Sequence, residues 1–345
     1  MQIDIRAVWK KADSLRGCLG FYRTKDCRRH FRTDEDPLKV ANLFVSDEAK
    51  ILSSKAFRVM SDKTQVFTQA KNALVRSRQK HVLEVVAVSA IASEMLGLNT
   101  DLVRAGALGH DIGHVPFGHQ GEAWMSKAMN RPDFCHEVMG PVIFQKIERR
   151  GCGLNLTHET LDVMMRHSGR LIDPGMSQEA WLLRYTDKFS YIFHDVNDIF
   201  VRMRRPMQSE LKNLVNLFGE NQRERTTTVI SGLVIESAEC KRVSFELSEL
   251  GRMFSKLRDL MYEIYPHVTR QNVAECMEKI YDFLTMLSIG DPYLLLALMT
   301  DKDALLIANS VMSDQDLFNQ TALCEISPHL EEIGKVDLCD PCLDW

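Results

Sequence analysis

The sequence predicts an all-α fold on three observations. Long stretches contain Leu, Ala, Met, Glu and Lys, the residues that lose least on entering a helix. Their apolar positions suit helices buried on one or several faces. Only 18 Gly and 10 Pro punctuate the 345 residues, too few for the many tight turns of a β-sandwich or barrel. With 45% hydrophobic and 26% charged residues the chain can bury a substantial core, which excludes a disordered or collagen-like protein.

Residues 1–46 are read as a polar arm, with Arg23, Lys25, Arg28, Arg29 and Arg32 ahead of Asp34, Glu35 and Asp36. Such an arm is expected to be solvated or to dock on a neighbouring subunit. Its first 15 residues have no continuous apolar run of the kind that directs export. The core is placed at residues 47–205. In it, His81–Leu96 is apolar on almost every face and is expected to be a buried helix, so any polar group on it needs a partner. Thr100 is read as the cap of a helix through His110, stopped by Gly113, Pro116 and Gly118. Glu179–Met203 is again helical, and Asp187, Tyr191 and Asp195 share one stripe at i, i+4 and i+8. Gly219–Thr228 is expected to be a linker into a C-terminal extension, residues 206–345, whose amphipathic helices Phe245–Tyr265 and Val273–Met286 pack back on the core. Tyr293–Met299, the longest apolar stretch near the C-terminus, falls far short of the roughly 20 residues that span a bilayer, so no membrane partner is expected. Nine cysteines spread along the chain read as reduced thiols in a cytoplasmic protein. Cys339 and Cys342 form a CxxC without a partner pair, which favours a free tail over a zinc site.

A net charge of −4 gives no general attraction for polyanions, so an anionic substrate must be held by a local cluster. Seven of the 11 histidines lie between His81 and His167. His81 sits on the buried helix, His110 and Asp111 at the next helix end, and Asp187 on the later helix. Two imidazoles and two carboxylates suit Mn²⁺, Fe²⁺, Co²⁺ or Mg²⁺, with coordination positions left for water and substrate. The dipeptide recurs at His194-Asp195, but the first copy has the upstream His and the downstream Asp. His119 and Glu122, three residues apart, are close enough for the carboxylate to orient the imidazole as a general acid or base requires.

These residues resemble the H...HD...D pattern of the HD-domain phosphohydrolase superfamily and its helical bundle. More narrowly, the chain resembles the dGTPase-like deoxynucleoside triphosphate triphosphohydrolases. The likeness is carried by SSKAFRVMSDKTQVF (53–67), RSRQKHVLEV (76–85), GHDIGHVPFGHQGE (109–122), GLNLTHETL (153–161) and DKFSYIFHDVND (187–198). The resemblance implies that His81, His110, Asp111 and Asp187 hold a divalent metal. It places His114, His119, Glu122 and His136 at the scissile phosphoester, although FCHEV around His136 departs from the commoner FxHN. It gives Arg78 and Lys188 to the phosphates and Gln65, Tyr191 and Asp195 to the sugar, where a tyrosine ring against C2′ excludes a ribose hydroxyl. His158 and His167 are read as structural. The implied reaction splits a dNTP into deoxynucleoside and inorganic triphosphate in a homo-oligomer, with a nucleotide or single-stranded nucleic acid as regulator; Arg202, Arg204 and Arg205 are candidates for that contact. The competing expectations are another HD-type monophosphatase or pyrophosphohydrolase, and a nucleotide- or nucleic-acid-sensing protein without turnover.

Overall fold

The computed structural model describes residues 3–29, 41–68, 70, 72–310 and 315–343. It is all-α: the described residues contain no strand, only isolated bridges at Arg29–Thr157 and Thr64–Ser77. No helix among them is long and apolar enough to cross a membrane.

Two apolar clusters form the core, and the helix Arg78–Leu96 serves both. Val82, Val85 and Val86 face the first, while Val88, Ala92 and Leu96 face the second, which is why this helix is apolar all round. The helix Gln178–Val196 divides in the same way, with Ala180 and Leu183 in the first cluster and Phe189, Ile192 and Phe193 in the second. His81 and Asp187 are therefore carried by two rods clamped on both sides. Segments on either side of residue 206 share these clusters: Gln222–Cys240 and Glu249–Val268 join the second, Val273–Leu287 and the helices after it the first.

Four local expectations change. The N-terminal segment is packed rather than solvated: Ile5–Asp13 is a helix whose Trp9 Nε1 donates to Thr228 Oγ1 at 3.1 Å, and Ala12 and Leu19 are fully buried. Arg29 makes a buried ion pair with Asp47, 2.9 Å apart, and Thr24 donates its backbone N–H to Glu179. Of the basic run, Arg28 and Arg29 find the carboxylates of Glu159 and Asp47 inside the molecule, whereas Arg23 and Lys25 are exposed; Arg32 and Asp34, Glu35 and Asp36 lie outside the described residues. The expected linker is mostly the first turns of Gln222–Cys240, started by the Asn221 side chain accepting from the Glu224 N–H. Asn99, not Thr100, caps the helix Thr100–Gly109. The C-terminal CxxC segment is also docked, with Lys146 donating to the Asp340 carbonyl at 2.8 Å and Cys339 against the first cluster.

Glu236 ties the two long C-terminal helices together. Its carboxylate accepts from the backbone N–H groups of Glu246, Leu247 and Ser248 and from the Ser244 hydroxyl. Burial opposes its ionisation, but these donors outweigh it and hold the carboxyl at about 2. A depressed folded-state value stabilises above the unfolded value, about 4.3, and that contribution is lost as pH falls toward 2. Glu236→Gln is expected to cost about 2 kcal/mol at pH 7 and clearly less at pH 3, read by denaturant unfolding at both pH values.

Candidate active site

The site lies where Arg78–Leu96, the end of Thr100–Gly109 and Gln178–Val196 converge. His81 Nε2 stands 3.1 Å from Asp187 Oδ1 and 3.6 Å from Asp111 Oδ2. His110 Nε2 lies 3.5 Å from Asp111 Oδ1 and 3.6 Å from Asp187 Oδ1. All four are buried. The His110 Nδ1 is 2.7 Å from the Ala107 carbonyl, which fixes Nδ1 as the donor and turns Nε2, without a hydrogen bond of its own, toward the two carboxylates. An unprotonated ring nitrogen facing two carboxylate oxygens is repelled unless a cation lies among them. Where no ion lies there, the carboxylates draw a proton to that position instead. Burial disfavours the His110 imidazolium, yet Asp111 and Asp187 outweigh it and raise its pKa; Asp111 and Asp187 are held low against burial by the imidazoles and Arg78. The four residues fit a divalent ion: separations of 3.1–3.6 Å match adjacent ligands at about 2.1 Å from one first-row ion.

The loop after Asp111 approaches the helix His136–Val142 so closely that a Cβ on Gly113 would stand 2.1 Å from the His136 carbonyl oxygen. His114 and His136 stack at 3.7 Å, and His114 Nε2 is 3.4 Å from Asp111 Oδ1. Burial, then Arg78 and His136, keep the His114 pKa low, so this ring is neutral. His136 is the opposite case. Burial opposes its charge, but Glu137, Glu122 and Asp111 lift it to about 9. Its Nδ1 is 2.7 Å from Glu122 Oε2 and its Nε2 3.3 Å from His167 Nε2. Burial lowers His167 to about 4, and its Nδ1 faces the Met164 carbonyl at 2.6 Å, so it offers Nε2 as an acceptor. His136 is thus a fixed imidazolium with both N–H groups engaged.

Glu122 pairs with His136, not with His119 as the spacing suggested, because the helix beginning at His119 turns Glu122 inward and leaves His119 exposed. His119 stays at the mouth, edge-on to His114 at 4.9 Å and to His136 at 5.4 Å. Arg78 donates to Asp111 Oδ2 at 2.6 Å and to the Thr64 carbonyl at 3.0 Å, and so holds the ligand it was expected to sit beside. Gln65 has a buried Oε1 without a hydrogen-bond partner. The Tyr191 hydroxyl meets Tyr262 at 2.6 Å, with its ring 6.5 Å from that of His81. Lys188 lies over the Tyr185 ring, its pKa lowered to about 8 by burial and by Arg184. Asp195 is not a free sugar acceptor here: one oxygen takes the Arg76 guanidinium and the other the Tyr265 hydroxyl at 2.7 Å.

Four participants escaped sequence reasoning. His167, read as structural, also brings Nε2 to 3.9 Å from Asp111 Oδ1 and forms a possible ligand group with His110 and Asp187. Glu137 adjoins His136 in sequence, a signal that was available. Lys63 donates to the His114 carbonyl, and burial lowers its pKa to about 8. Asp301, far along the chain, accepts from the backbone N–H groups of Thr64 and Phe117, each at 3.0 Å. It thereby pins the positive-φ turn at Phe117 just before His119; nothing in its local sequence marks it.

The HD-domain family profile matches residues 78–192, the span that carries all four metal-ligand candidates. A deoxyguanosinetriphosphate triphosphohydrolase-like protein of Clostridium tetani is 33% identical over 244 residues, covering 68% of this chain and 69% of the relative. Proteins of the same description from Desulfatibacillum aliphaticivorans and Clostridium perfringens (strain SM101) are 34% identical over 238 residues and 32% over 262. They cover 67% and 72% of this chain, and 65% and 76% of their own lengths. A buried His/Asp cluster fit for a divalent ion, on the helices that match the profile, agrees with these relationships: the chain belongs to the deoxyguanosinetriphosphate triphosphohydrolase-like family of HD-domain, metal-dependent phosphohydrolases.

Proposed function

We propose that the protein hydrolyses deoxynucleoside triphosphates, dGTP or several dNTPs, to deoxynucleoside and inorganic triphosphate. The observation that carries this reading is the buried cluster of His81, His110, Asp111 and Asp187, whose geometry fits a divalent cation, flanked by Arg78 and by the His136 imidazolium. A polyphosphate needs such a concentration of positive charge in a chain that is acidic overall. A divalent ion held by those four residues supplies Lewis acidity toward a phosphoryl oxygen and a water of lowered pKa.

The chain's own residues do the rest. Arg78 keeps Asp111 oriented and adds charge beside the α-phosphate, with Lys188 as the second phosphate cation. His136, committed at both nitrogens, holds its charge in place without giving up a proton. His119, edge-on to His114 and His136, is the ring assigned to protonate the departing 5′-oxygen, with Glu122 opposing the lowering of its pKa by burial and by the His136 charge. Gln65, with its orphaned buried oxygen, is left to accept from the sugar 3′-hydroxyl, and Tyr191 bounds the space at C2′. The test is product analysis of the purified protein with Mn²⁺ and each dNTP by ion chromatography. Deoxynucleoside and inorganic triphosphate in equal amounts are expected. Orthophosphate or pyrophosphate in their place would overturn the bond assignment and favour the monophosphatase or pyrophosphohydrolase reading.

A further inference from the structure

Behind the loop that follows Asp111 lies a cavity of about 560 Å³ that the proposed reaction does not use. That is within the range of small-molecule sites, about 300–1,000 Å³. Its floor is apolar, built from Val59, Ile112, Ile143, Leu323 and Ile326. Its rim is cationic, with exposed Lys55, Arg58, Arg149 and Arg150 against the carboxylates of Glu148 and Glu325, while buried Lys63 lines it from within. Glu325 is taken by Lys55 at 3.1 Å, and Glu148 accepts from the Ala56 N–H at 2.8 Å. Arg58, Arg149 and Arg150 make no ion pair among the described residues and are exposed at the rim. Arg149 and Arg150 are consecutive non-glycine residues with φ of 53° and 58°, a conformation that side chains rarely adopt and that gathers at ligand clamps.

We propose that this cavity is a regulatory site for an amphiphilic anion, with an apolar chain or ring against the floor and an acidic head at the arginine rim. Free arginines in an acidic protein favour a carboxylate or phosphate head. The side chains of the floor offer no hydrogen-bond partners for the polar edges of a nucleobase, so an apolar body is favoured over a nucleotide. Two lining residues reach the active site directly. Ile112 follows His110 and Asp111 in the chain, and Lys63 donates to the His114 carbonyl. An occupant would therefore press on the back of the loop that presents the metal-ligand candidates.

The test titrates the full-length, chelator-treated protein with decanoate and with 2-naphthoate by calorimetry, with decanol and inorganic phosphate as controls. At least one acid is expected to bind about tenfold more tightly than either control, and which one does so distinguishes a chain from a ring. Arg149→Glu with Arg150→Glu, both exposed and so safe for the fold, is expected to weaken binding about tenfold. Ile326→Trp, which fills the floor, is expected to abolish it. Saturation with the bound acid is expected to shift the affinity for Mn²⁺ by about fivefold, a readout independent of the substrate assignment. Acids that bind no better than decanol, or binding unchanged by the arginine substitutions, would overturn the site. An unchanged Mn²⁺ affinity would overturn its regulatory role.

Discussion

Asp111→Asn is expected to lower metal-dependent hydrolysis by on the order of 10³-fold, equivalent to about 4 kcal/mol of lost transition-state stabilisation. Asp111 is the centre of the site. One oxygen faces His110 and His114 at 3.5 and 3.4 Å, and the other takes Arg78 at 2.6 Å and faces His81 at 3.6 Å. Asparagine keeps the volume but removes the charge. It leaves the Arg78 guanidinium without its carboxylate partner and exchanges an anionic ligand candidate for a weak neutral one. The variant should therefore bind Mn²⁺ at least about 100-fold more weakly in calorimetric titration. Removing one partner of a buried ion pair also costs about 3–5 kcal/mol, so a thermal melt must show the variant folded at the assay temperature. Hydrolysis and metal binding that both stay within tenfold of the parent would remove Asp111 from the ligand set.

Glu122→Gln is expected to act through pH. His136 is lifted to about 9 against the effect of its burial, by Glu137, Glu122 and Asp111. Its charged form is present below that value and lost as pH rises through it. Because the value lies above that of an unfolded histidine, about 6.5, the pairing also stabilises the fold fully below pH 6.5, and that stabilisation disappears as pH passes 9. Glutamine can still accept from Nδ1–H but contributes no charge, so the alkaline limb of kcat/KM should move down by about one pH unit or more. The loss should be roughly threefold near pH 8.5, approach tenfold above pH 9 and be small near pH 6. A merely structural defect would lower the rate at every pH. An alkaline limb that stays in place while the protein remains folded would mean that the charge on His136 is not used.

The division between what could and could not be read in advance follows from sequence distance. His81, His110, Asp111 and Asp187 were legible because each lies on or at the end of a helix whose apolar pattern is plain, and such a pattern leaves buried polar groups nowhere else to point. The His119–Glu122 pairing was inferred from a spacing of three residues and is replaced by Glu122–His136, a contact between two helices that no local spacing encodes. Asp195 looked like part of a functional stripe, yet Arg76 and Tyr265 arrive from other elements and take it. The N-terminal charges looked solvated because Asp47, Glu159 and Glu179, which accept from that segment, lie elsewhere in the chain.

By itself the sequence determined an all-α chain, the two largely apolar helices that carry His81 and Asp187, and the identity of the metal-ligand candidates. Those features depend on periodicity and residue chemistry, which are local. Tertiary structure alone decided which carboxylate charges which imidazole, that Asp301 pins the loop before His119, and that a cation-rimmed cavity backs onto Ile112 and Lys63. Each of these is a distance between side chains on separate elements. Such distances are set by how the helices pack, and packing is a property of the whole chain.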